Sequence, residues 1–130
     1  MVLVDSSAWI EFFGGKDSRP VRSIEGLIDR NESLCICGIV LTEVLQGIRS
    51  DSAFRKTRDH FEDLVYLPMS QETFHQAAII YRSLRKRGIT VRKSVDCMIA
   101  AVAIEFDIPL LHADRDFEPI QKHCGLRVVG

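Results

Sequence analysis

Four acidic residues stand out because each is an isolated acid beside a strongly apolar segment. Asp5 ends the run MVLV, Glu43 lies within GIVLTEVLQGI, Asp96 lies within SVDCMIAAVAI, and Asp114 follows IPLLHA. A carboxylate in apolar surroundings is costly unless it is paired or neutralised. Carboxylates that converge repel one another, and a cation that prefers oxygen ligands, such as Mg²⁺ or Mn²⁺, would hold them together. These residues therefore predict a site for one or two divalent ions.

A bound divalent ion orients water and stabilises the charge that grows on a phosphodiester during hydrolysis. Each acid also has a structural interpretation: Asp5 as the cap of the following turn, Asp96 as a first-turn helix acid, and Asp114 as a helix cap. Glu43 could extend to water or pair with an arginine. We favour the functional interpretation because all four acids are expected at the same edge of the fold.

That edge follows from the order of the predicted elements. Strands are predicted at MVLVD, SLCICG, VYLPM, IPLLHA and LRVVG. Helices are predicted at SSAWIEFFGG, at 20–31, at IVLTEVLQGI, at 52–65, and from Ser70 to about Arg87. A further helix is predicted to begin after a cap at Ser94, and DRDFEPIQKHCG is predicted to form a short helix or turn. Alternation of this kind is typical of an α/β fold with a mostly parallel sheet covered on both faces.

In such a fold, ligands bind beyond the carboxyl ends of the strands. Asp5 and Asp114 each come directly after a predicted strand, so both belong at that edge. Asp96 lies in the first turn of its helix, and helices that follow strands begin at the same edge. Glu43 is expected early in its helix. The spacing therefore permits all four carboxylates to converge.

Composition excludes several other classes of site. The net charge is only −1, so any nucleic-acid surface would be a local patch. The cysteines lack zinc spacing and are expected to be reduced packing residues; they are Cys35, Cys37, Cys97 and Cys124. Neither GxGxxG nor GxxxxGK[ST] occurs. Because MVLVDSSAWI lacks a basic leader and no apolar run approaches about 20 residues, we expect a cytoplasmic protein.

Four blocks of the chain occur in an order that resembles the PIN-domain ribonucleases, specifically the VapC-type toxins of toxin–antitoxin systems. The blocks are VLVDSSAWIEFF, LTEVLQGI, VDCMIAAVAI and LLHADRDFEPI. The resemblance implies a three-layer α/β/α sandwich that forms a single nuclease domain over residues 1–130. It also implies a homodimer, inhibition by a cognate VapB-type antitoxin, and an RNA substrate, with transfer RNA favoured.

By position in these blocks, the resemblance makes Asp5, Glu43, Asp96 and Asp114 the catalytic acids. Asp5, Asp96 and Asp114 are also the implied ligands of Mg²⁺ or Mn²⁺. The implied reaction is one-step hydrolysis of an RNA phosphodiester by an activated water, which leaves a 5′ phosphate. No covalent enzyme intermediate is required.

Four further residues are candidates for supporting roles. Ser6 or Ser7 occupies the small hydroxyl position that follows the first aspartate of the family. Asp116 lies two residues after Asp114 and is a partner or a substitute for it. His112 stands where Thr or Ser is common in the family, and local hydrogen bonding is the simpler interpretation of this departure.

The densest basic stretch of the chain leads directly into Asp96. It contains no acid, and its cations are Arg82, Arg85, Lys86, Arg87, Arg92 and Lys93. Cations at a helix end are explained either by solvation and the helix dipole or by contacts with RNA phosphates. We assign RNA binding to Arg87, Arg92 and Lys93, and the last two adjoin the predicted site. Arg92 could instead contact a carboxylate of the same pocket.

Aromatic residues of the first helix leave two interpretations open. Trp9, Phe12 and Phe13 could pack in the core or line a groove for an apolar segment of the antitoxin. In the second case, an arginine of that partner reaching the carboxylates would explain inhibition.

Two other function classes compete with the nuclease. A phosphoryl-transfer enzyme would use Asp5 as nucleophile, but haloacid-dehalogenase-like enzymes need a second aspartate where Ser7 stands. A non-catalytic module that binds RNA or protein would not require intact acids at all four positions.

Overall fold

The computed structural model describes residues 1–129, and four short strands lie at the centre of that part of the chain. They are β1 (Val2–Val4), β2 (Leu34–Cys37), β3 (Val65–Leu67) and β4 (Leu110–Leu111). All the pairings between them are parallel, in the order β3-β2-β1-β4. β1 and β2 are buried along their whole length, which explains their uninterrupted apolar runs.

Helices connect and cover these strands. They are α1 (Ser6–Phe13), α2 (Arg19–Asp29), α3 (Gly38–Gln46), α4 (Asp51–Phe61), α5 (Gln71–Lys86), α6 (Ser94–Glu105) and α7 (Glu118–Cys124), with a 3₁₀ turn at Arg115–Phe117. Ser18, Ser50 and Ser70 cap α2, α4 and α5 through their hydroxyl oxygens. Gly88 follows the end of α5 at a φ of 77°, which glycine adopts readily.

The connections place the helices in two layers. The chain passes from β1 to β2 to β3 in one direction and then returns past β1 to β4. Right-handed crossovers therefore put α1 to α4 on one face of the sheet and α5 and α6 on the other. Consistent with this, α1 packs on α2 and α3, whereas α5 packs on α6 and α7. The predicted α/β/α sandwich with a mostly parallel sheet is confirmed.

Two predicted elements differ from the structure. The helix predicted over 52–65 ends at Phe61, because Val65 already belongs to β3, where it pairs with Cys35 of β2. The predicted strand LRVVG forms only an isolated bridge between Val128 and Leu110, since β4 is two residues long, and Gly130 lies outside the described residues. None of the helices in residues 1–129 combines the length and hydropathy that crossing a bilayer requires.

The predicted capping role of Ser94 is wrong. Helix α6 begins at Ser94 itself, so Lys93 holds the N-cap position, and no side chain caps this helix. The side chain of Lys93 is directed instead to nearby carboxylates. The start of α6 is thus tied to the acidic residues rather than closed by a local cap.

Candidate active site

Asp96, Asp114 and Asp116 lie around one point at the carboxyl edge of the sheet. One carboxylate oxygen from each lies within 4.8 Å of the others. Asp96 is buried in the first turn of α6, whereas Asp114 and Asp116 are half-buried in the segment that follows β4. Carboxylates this close destabilise one another unless a proton or a cation is shared between them. Asp116, predicted as a partner of Asp114 or a substitute for it, lies in the acidic cluster together with Asp114.

Asp5 lies at the same edge, at the end of β1. Its backbone N–H donates to the Leu111 carbonyl at 2.9 Å, which joins the ends of β1 and β4. Its Oδ2 accepts hydrogen bonds from the backbone N–H and the hydroxyl of Ser7, so the predicted capping role is confirmed. Its Oδ1 is buried and has no hydrogen-bond partner among the described residues. A buried carboxylate oxygen without a partner is costly, and a cation would remove that cost.

The charge state of Asp96 reflects this crowding. Burial raises the pKa of Asp96 from 3.8 to about 6; Lys93 opposes the rise, and the carboxylates of Asp5, Asp114 and Asp116 add to it. A raised pKa means that the buried carboxylate of Asp96 carries its negative charge less readily than a carboxylate in water does. Negative charge at Asp96 is therefore costly unless a cation lies close to it.

Lys93 partly offsets this charge. Its Nζ donates to Asp114 Oδ2 at 2.8 Å and lies 3.7 Å from Asp96 Oδ2. The hydrogen bond to Asp114, more than any other contact, raises the pKa of Lys93. Burial acts to raise the pKa of Asp114, but Lys93 and the backbone N–H of Asp116 outweigh it, so the net pKa is lowered. Asp114 also caps the 3₁₀ turn by accepting from Asp116 N–H, as its structural interpretation predicts.

Glu43 is linked to the residue that follows Asp5. It lies in the second turn of α3, close to its predicted early position, and it is half-buried. Its Oε1 accepts a hydrogen bond from Ser6 Oγ at 3.0 Å. Ser6 is next to Asp5 in the chain, so this bond ties α3 to the start of α1. Glu43 is therefore adjacent to the site but outside the cluster of three aspartates.

Ser7 and His112 fix the segments that carry the acids. The hydroxyl of Ser7 donates to Asp5 and accepts from the Ala113 N–H at 3.0 Å, which links α1 to the end of β4. The Nδ1 of His112 accepts from the Asp114 N–H, and its ring packs against Phe117 at a centroid distance of 4.9 Å. Burial lowers the pKa of His112. These contacts agree with the local hydrogen-bonding interpretation of His112.

The predicted RNA-binding cations separate into two places. Arg92 extends into solvent with its guanidinium 4.0 Å from Asp116 Oδ1, and Lys93 contacts the cluster directly. Arg87 follows the end of α5 and lines a different hollow with Ile79 and Lys86. Arg87 is therefore not brought to the acids.

Sequence reasoning missed two basic residues near the acids. Arg115 and Lys122 line a cavity that also reaches Asp96 and Asp116. Arg115 lies within the segment DRD, between two of the clustered acids. This position in the sequence was enough to predict that Arg115 lies near the acids. Lys122 has no comparable signal, because it reaches the site only through the packing of α7.

The aromatic residues of α1 pack against the core, as the first of the two interpretations predicts. Trp9 is buried, and its ring centroid lies 5.7 Å from that of Phe12, 5.7 Å from that of Phe13 and 5.2 Å from that of Phe61. Phe12 is half-buried, but Phe13 remains 45% exposed. The cluster is thus part of the core with one edge open to solvent.

The side chains present suit a hard divalent cation. The donors are carboxylate oxygens only, one of them is buried without a partner, and no sulfur ligand belongs to the acidic cluster. Asp96, Asp114 and Asp116 would hold the ion, with Asp5 Oδ1 available to it. The geometry therefore fits the predicted kind of metal without identifying Mg²⁺ or Mn²⁺.

Comparison with known proteins gives a consistent result. The PIN domain family model matches residues 2–122. The chain is 32% identical over 129 residues to a VapC ribonuclease of Mycobacterium bovis and to Ribonuclease VapC11 of Mycobacterium tuberculosis, covering 98% of this chain and 96% of each relative.

The fold is also similar to that of solved structures. VapBC2 from Rickettsia felis, bound to a DNA fragment from its promoter, matches with a TM-score of 0.74 at 18% identity, covering 99% of this chain and 98% of that chain. Mycobacterium tuberculosis VapC20, a toxin that cleaves the sarcin-ricin loop, matches with a TM-score of 0.65 at 17% identity over 98% and 99% of the two chains. The sequence match and the shared fold agree, and the chain belongs to the PIN-domain family, in its VapC-type branch.

Proposed function

We propose that this chain is a metal-dependent endoribonuclease that acts as the toxin of a type II toxin–antitoxin system. The observation that carries the proposal is the convergence of Asp96, Asp114 and Asp116 within 4.8 Å, at the edge of the sheet where Asp5 keeps a buried Oδ1 without a hydrogen-bond partner among the described residues. Related proteins at 32% identity over nearly the whole chain are named ribonucleases, which supports the same activity here.

The residues of the chain divide into three roles in this proposal. The four aspartates hold Mg²⁺ or Mn²⁺, which when bound supplies a Lewis acid that lowers the pKa of water and neutralises phosphodiester charge. Glu43 adds a further carboxylate beside Asp5, oriented by Ser6. Arg92 and Lys93 lie at the rim, where their charges would attract the RNA backbone toward an otherwise repulsive acidic pocket.

Substrate and partners follow from the family. We take a structured transfer RNA as the favoured substrate and a VapB-type antitoxin as the inhibitor. Solved structures with this fold include a toxin–antitoxin complex from Klebsiella pneumoniae, which supports an antitoxin partner. We also propose that residues 1–130 form a single cytoplasmic nuclease domain that assembles as a homodimer.

The test is direct cleavage of RNA by the purified protein. Total RNA is incubated with the protein in Mg²⁺, in Mn²⁺ or in EDTA, and new 5′-phosphate ends are mapped by sequencing. Cleavage is expected with either metal, and it is lost in EDTA and in Asp96→Asn. The matched control is Asp29→Asn, which removes an exposed acid at the end of α2 and leaves cleavage unchanged.

Three outcomes would reject the proposal. Full cleavage in EDTA or by Asp96→Asn would exclude metal-dependent hydrolysis at these acids. RNA binding without cleavage in both metals would support the non-catalytic alternative, and trapping a phosphorylated Asp5 would support phosphoryl transfer.

A further inference from the structure

A cavity of 460 Å³ opens directly beside the acidic cluster. It lies between the end of α5, the connection from α5 to α6, the 3₁₀ turn and α7. Its lining includes two of the clustered acids, Asp96 and Asp116, so any molecule in the cavity would contact the proposed metal site. The volume falls within the roughly 300–1,000 Å³ range of small-molecule sites.

The floor of the cavity is apolar. Leu84 and Ile120 are buried in it, while Ile89, Val91 and Pro119 are half-buried along its sides. Side chains half-buried at an open cavity keep apolar surface in contact with water. A flat, weakly polar group placed against these side chains would remove that apolar surface from water, and this burial would contribute favourable binding free energy.

The rim of the cavity changes charge along α7. Asp116 lies in the 3₁₀ turn that precedes the helix and Glu118 is its first residue, whereas Lys122 lies in its last turn. At a rise of about 1.5 Å per residue, Lys122 is about 6 Å along the helix axis from Glu118. Arg92 and Arg115 add two exposed cations to the same rim. A ligand that spans the cavity would therefore meet the acidic cluster at one end and a basic group at the other.

We propose that this cavity binds one unpaired nucleotide of the RNA, the one that flanks the scissile phosphate. This rests on the proposed nuclease function, which places the scissile phosphate at the acidic cluster. The base of the nucleotide lies over the apolar floor and contacts Ile89 and Val91 at the sides of the cavity. The phosphate on its far side lies near Lys122, and Arg115 flanks it.

The shape of the site restricts the kind of RNA. A base within a duplex is stacked and paired, so it cannot enter a cavity closed by an apolar floor unless it is first extruded. Bases in loops, bulges and single-stranded segments enter without that cost. The cavity therefore admits a nucleotide outside any helix, such as one in a loop of a structured RNA, and cleavage falls next to that nucleotide.

The experiment measures binding separately from cleavage. The background is Asp5→Asn, because Asp5 does not line the cavity and its loss prevents cleavage under the proposed function. Binding of fluorescein-labelled, short random-sequence oligoribonucleotides in Mg²⁺ is followed by anisotropy, with a short RNA duplex as the comparison probe. Ile89→Trp fills the cavity, and Ile79→Trp is its control on an exposed part of α5. Lys122→Met removes the far cation, and Lys56→Met is its control on α4.

We expect Ile89→Trp to weaken binding of unpaired RNA about tenfold, the loss of roughly one base contact. Lys122→Met should weaken it several-fold and reduce the salt dependence by about one phosphate contact. Both controls should stay within about twofold of the background, and the duplex should bind more weakly than the single strand.

Unchanged binding in folded Ile89→Trp, or in Lys122→Met, would overturn the inference, as would equal binding of duplex and single strand. Should Ile89→Trp not fold, Lys122→Met decides the matter, since its side chain is exposed. Failure of the nuclease function appears differently, as absence of cleavage by the unmodified protein while the binding pattern persists.

Discussion

The ammonium of Lys93 lies 2.8 Å from Asp114 Oδ2 and 3.7 Å from Asp96 Oδ2, so one cation of the chain itself contacts two of the three clustered carboxylates. In the metal-free protein, Lys93 is the counter-ion that lowers repulsion within the cluster. A divalent ion bound by the same carboxylates would have to displace this ammonium or remain beside it, and either arrangement opposes metal binding.

Replacing Lys93 by Met should therefore change metal-free stability and metal affinity in opposite directions. The metal-free protein should lose about 0.5–1 kcal/mol of unfolding free energy, because the ammonium is half-exposed and its ion pairs are screened by water. Affinity for Mn²⁺ should rise about fivefold or more, as expected when a competing charge is removed. Calorimetric melting in EDTA and isothermal titration with Mn²⁺ measure the two quantities. Lys93→Arg keeps the charge and serves as control; weaker Mn²⁺ binding by Lys93→Met would contradict the competition.

Asp96→Asn should stabilise the metal-free protein at neutral pH while abolishing cleavage. The folded state raises the pKa of Asp96 from 3.8 to about 6, so it binds this proton more tightly than the unfolded chain does. The contribution of Asp96 to stability is therefore most favourable below pH 3.8 and falls as pH rises to about 6, by about 3 kcal/mol in all. Asn removes this pH dependence because it does not titrate.

Urea unfolding in EDTA between pH 4 and pH 8 measures this difference. The unfolding free energy of Asp96→Asn should exceed that of the unmodified protein above pH 6, and the two should converge toward pH 4. The exposed-acid control Asp29→Asn should follow the unmodified protein throughout. A lower stability of Asp96→Asn at pH 8 would show that the charged form of Asp96 is favoured by its surroundings.

Much of this site could be predicted from the sequence because parallel strands place their carboxyl ends together. Asp5 and Asp114 follow strands, so their shared edge follows from element order. Asp96 begins a helix that follows α5 and not a strand, so its place depends on how α5 and α6 pack together. Glu43 was predicted in the same way as these aspartates, as an isolated acid within the apolar segment GIVLTEVLQGI. Its link to Ser6 could not be predicted, because it depends on how α3 packs against α1.

The pairing of Lys93 with Asp114 illustrates what local patterns miss. The two residues are 21 positions apart, and their contact depends on the distance between the start of α6 and the end of β4. Sequence reasoning assigned Lys93 to RNA and the cap of α6 to Ser94, whereas the structure starts α6 one residue earlier than that cap requires. The cavity along α7 was missed for the same reason, since its residues come from separate elements.

Ser7→Ala should weaken the site through Asp5. The Ser7 hydroxyl donates to Asp5 Oδ2 and accepts from the Ala113 N–H. Its loss therefore removes one hydrogen bond from the Asp5 carboxylate and one from the Ala113 N–H. The expected cost is about 1–3 kcal/mol of unfolding free energy. We also expect weaker Mn²⁺ binding and a kcat lowered about tenfold with an unchanged KM, because Asp5 is misplaced rather than RNA released. Ser7→Thr keeps the hydroxyl and should restore kcat; equal loss in both variants would point to packing alone.

Glu43→Gln separates the charge of this residue from its hydrogen bond. The amide oxygen of Gln still accepts from Ser6 Oγ, so the link between α3 and α1 persists and stability should change by less than about 0.5 kcal/mol. The kcat for RNA cleavage should fall at least about tenfold, because a carboxylate beside Asp5 is lost. Ser6→Ala is the comparison, since it removes the hydrogen bond and keeps the charge. Unchanged kcat in Glu43→Gln would assign Glu43 a purely structural role.

Phe13→Asp should separate toxicity from its neutralisation. Phe13 is 45% exposed at the open edge of the aromatic cluster and stacks on Trp9, so it offers an apolar surface that an antitoxin segment would cover. Aromatic anchors of this kind carry a large share of interface energy, and an aspartate there should weaken antitoxin binding about tenfold or more. RNA cleavage should be unchanged, because Phe13 belongs to the end of α1 remote from Asp5.

The measurement of antitoxin binding combines growth after co-expression with the cognate antitoxin and cleavage by the purified variant. Cells that carry Phe13→Asp should stop growing despite the antitoxin, whereas Phe106→Asp, a change at a partly exposed phenylalanine after α6, should remain neutralised. Rescue of both variants by the antitoxin, with cleavage intact in vitro, would place the antitoxin surface away from the aromatic cluster. Loss of cleavage in Phe13→Asp would instead show that the cluster supports the acids, because Phe13 stacks on Trp9 within α1, the helix that Asp5 caps.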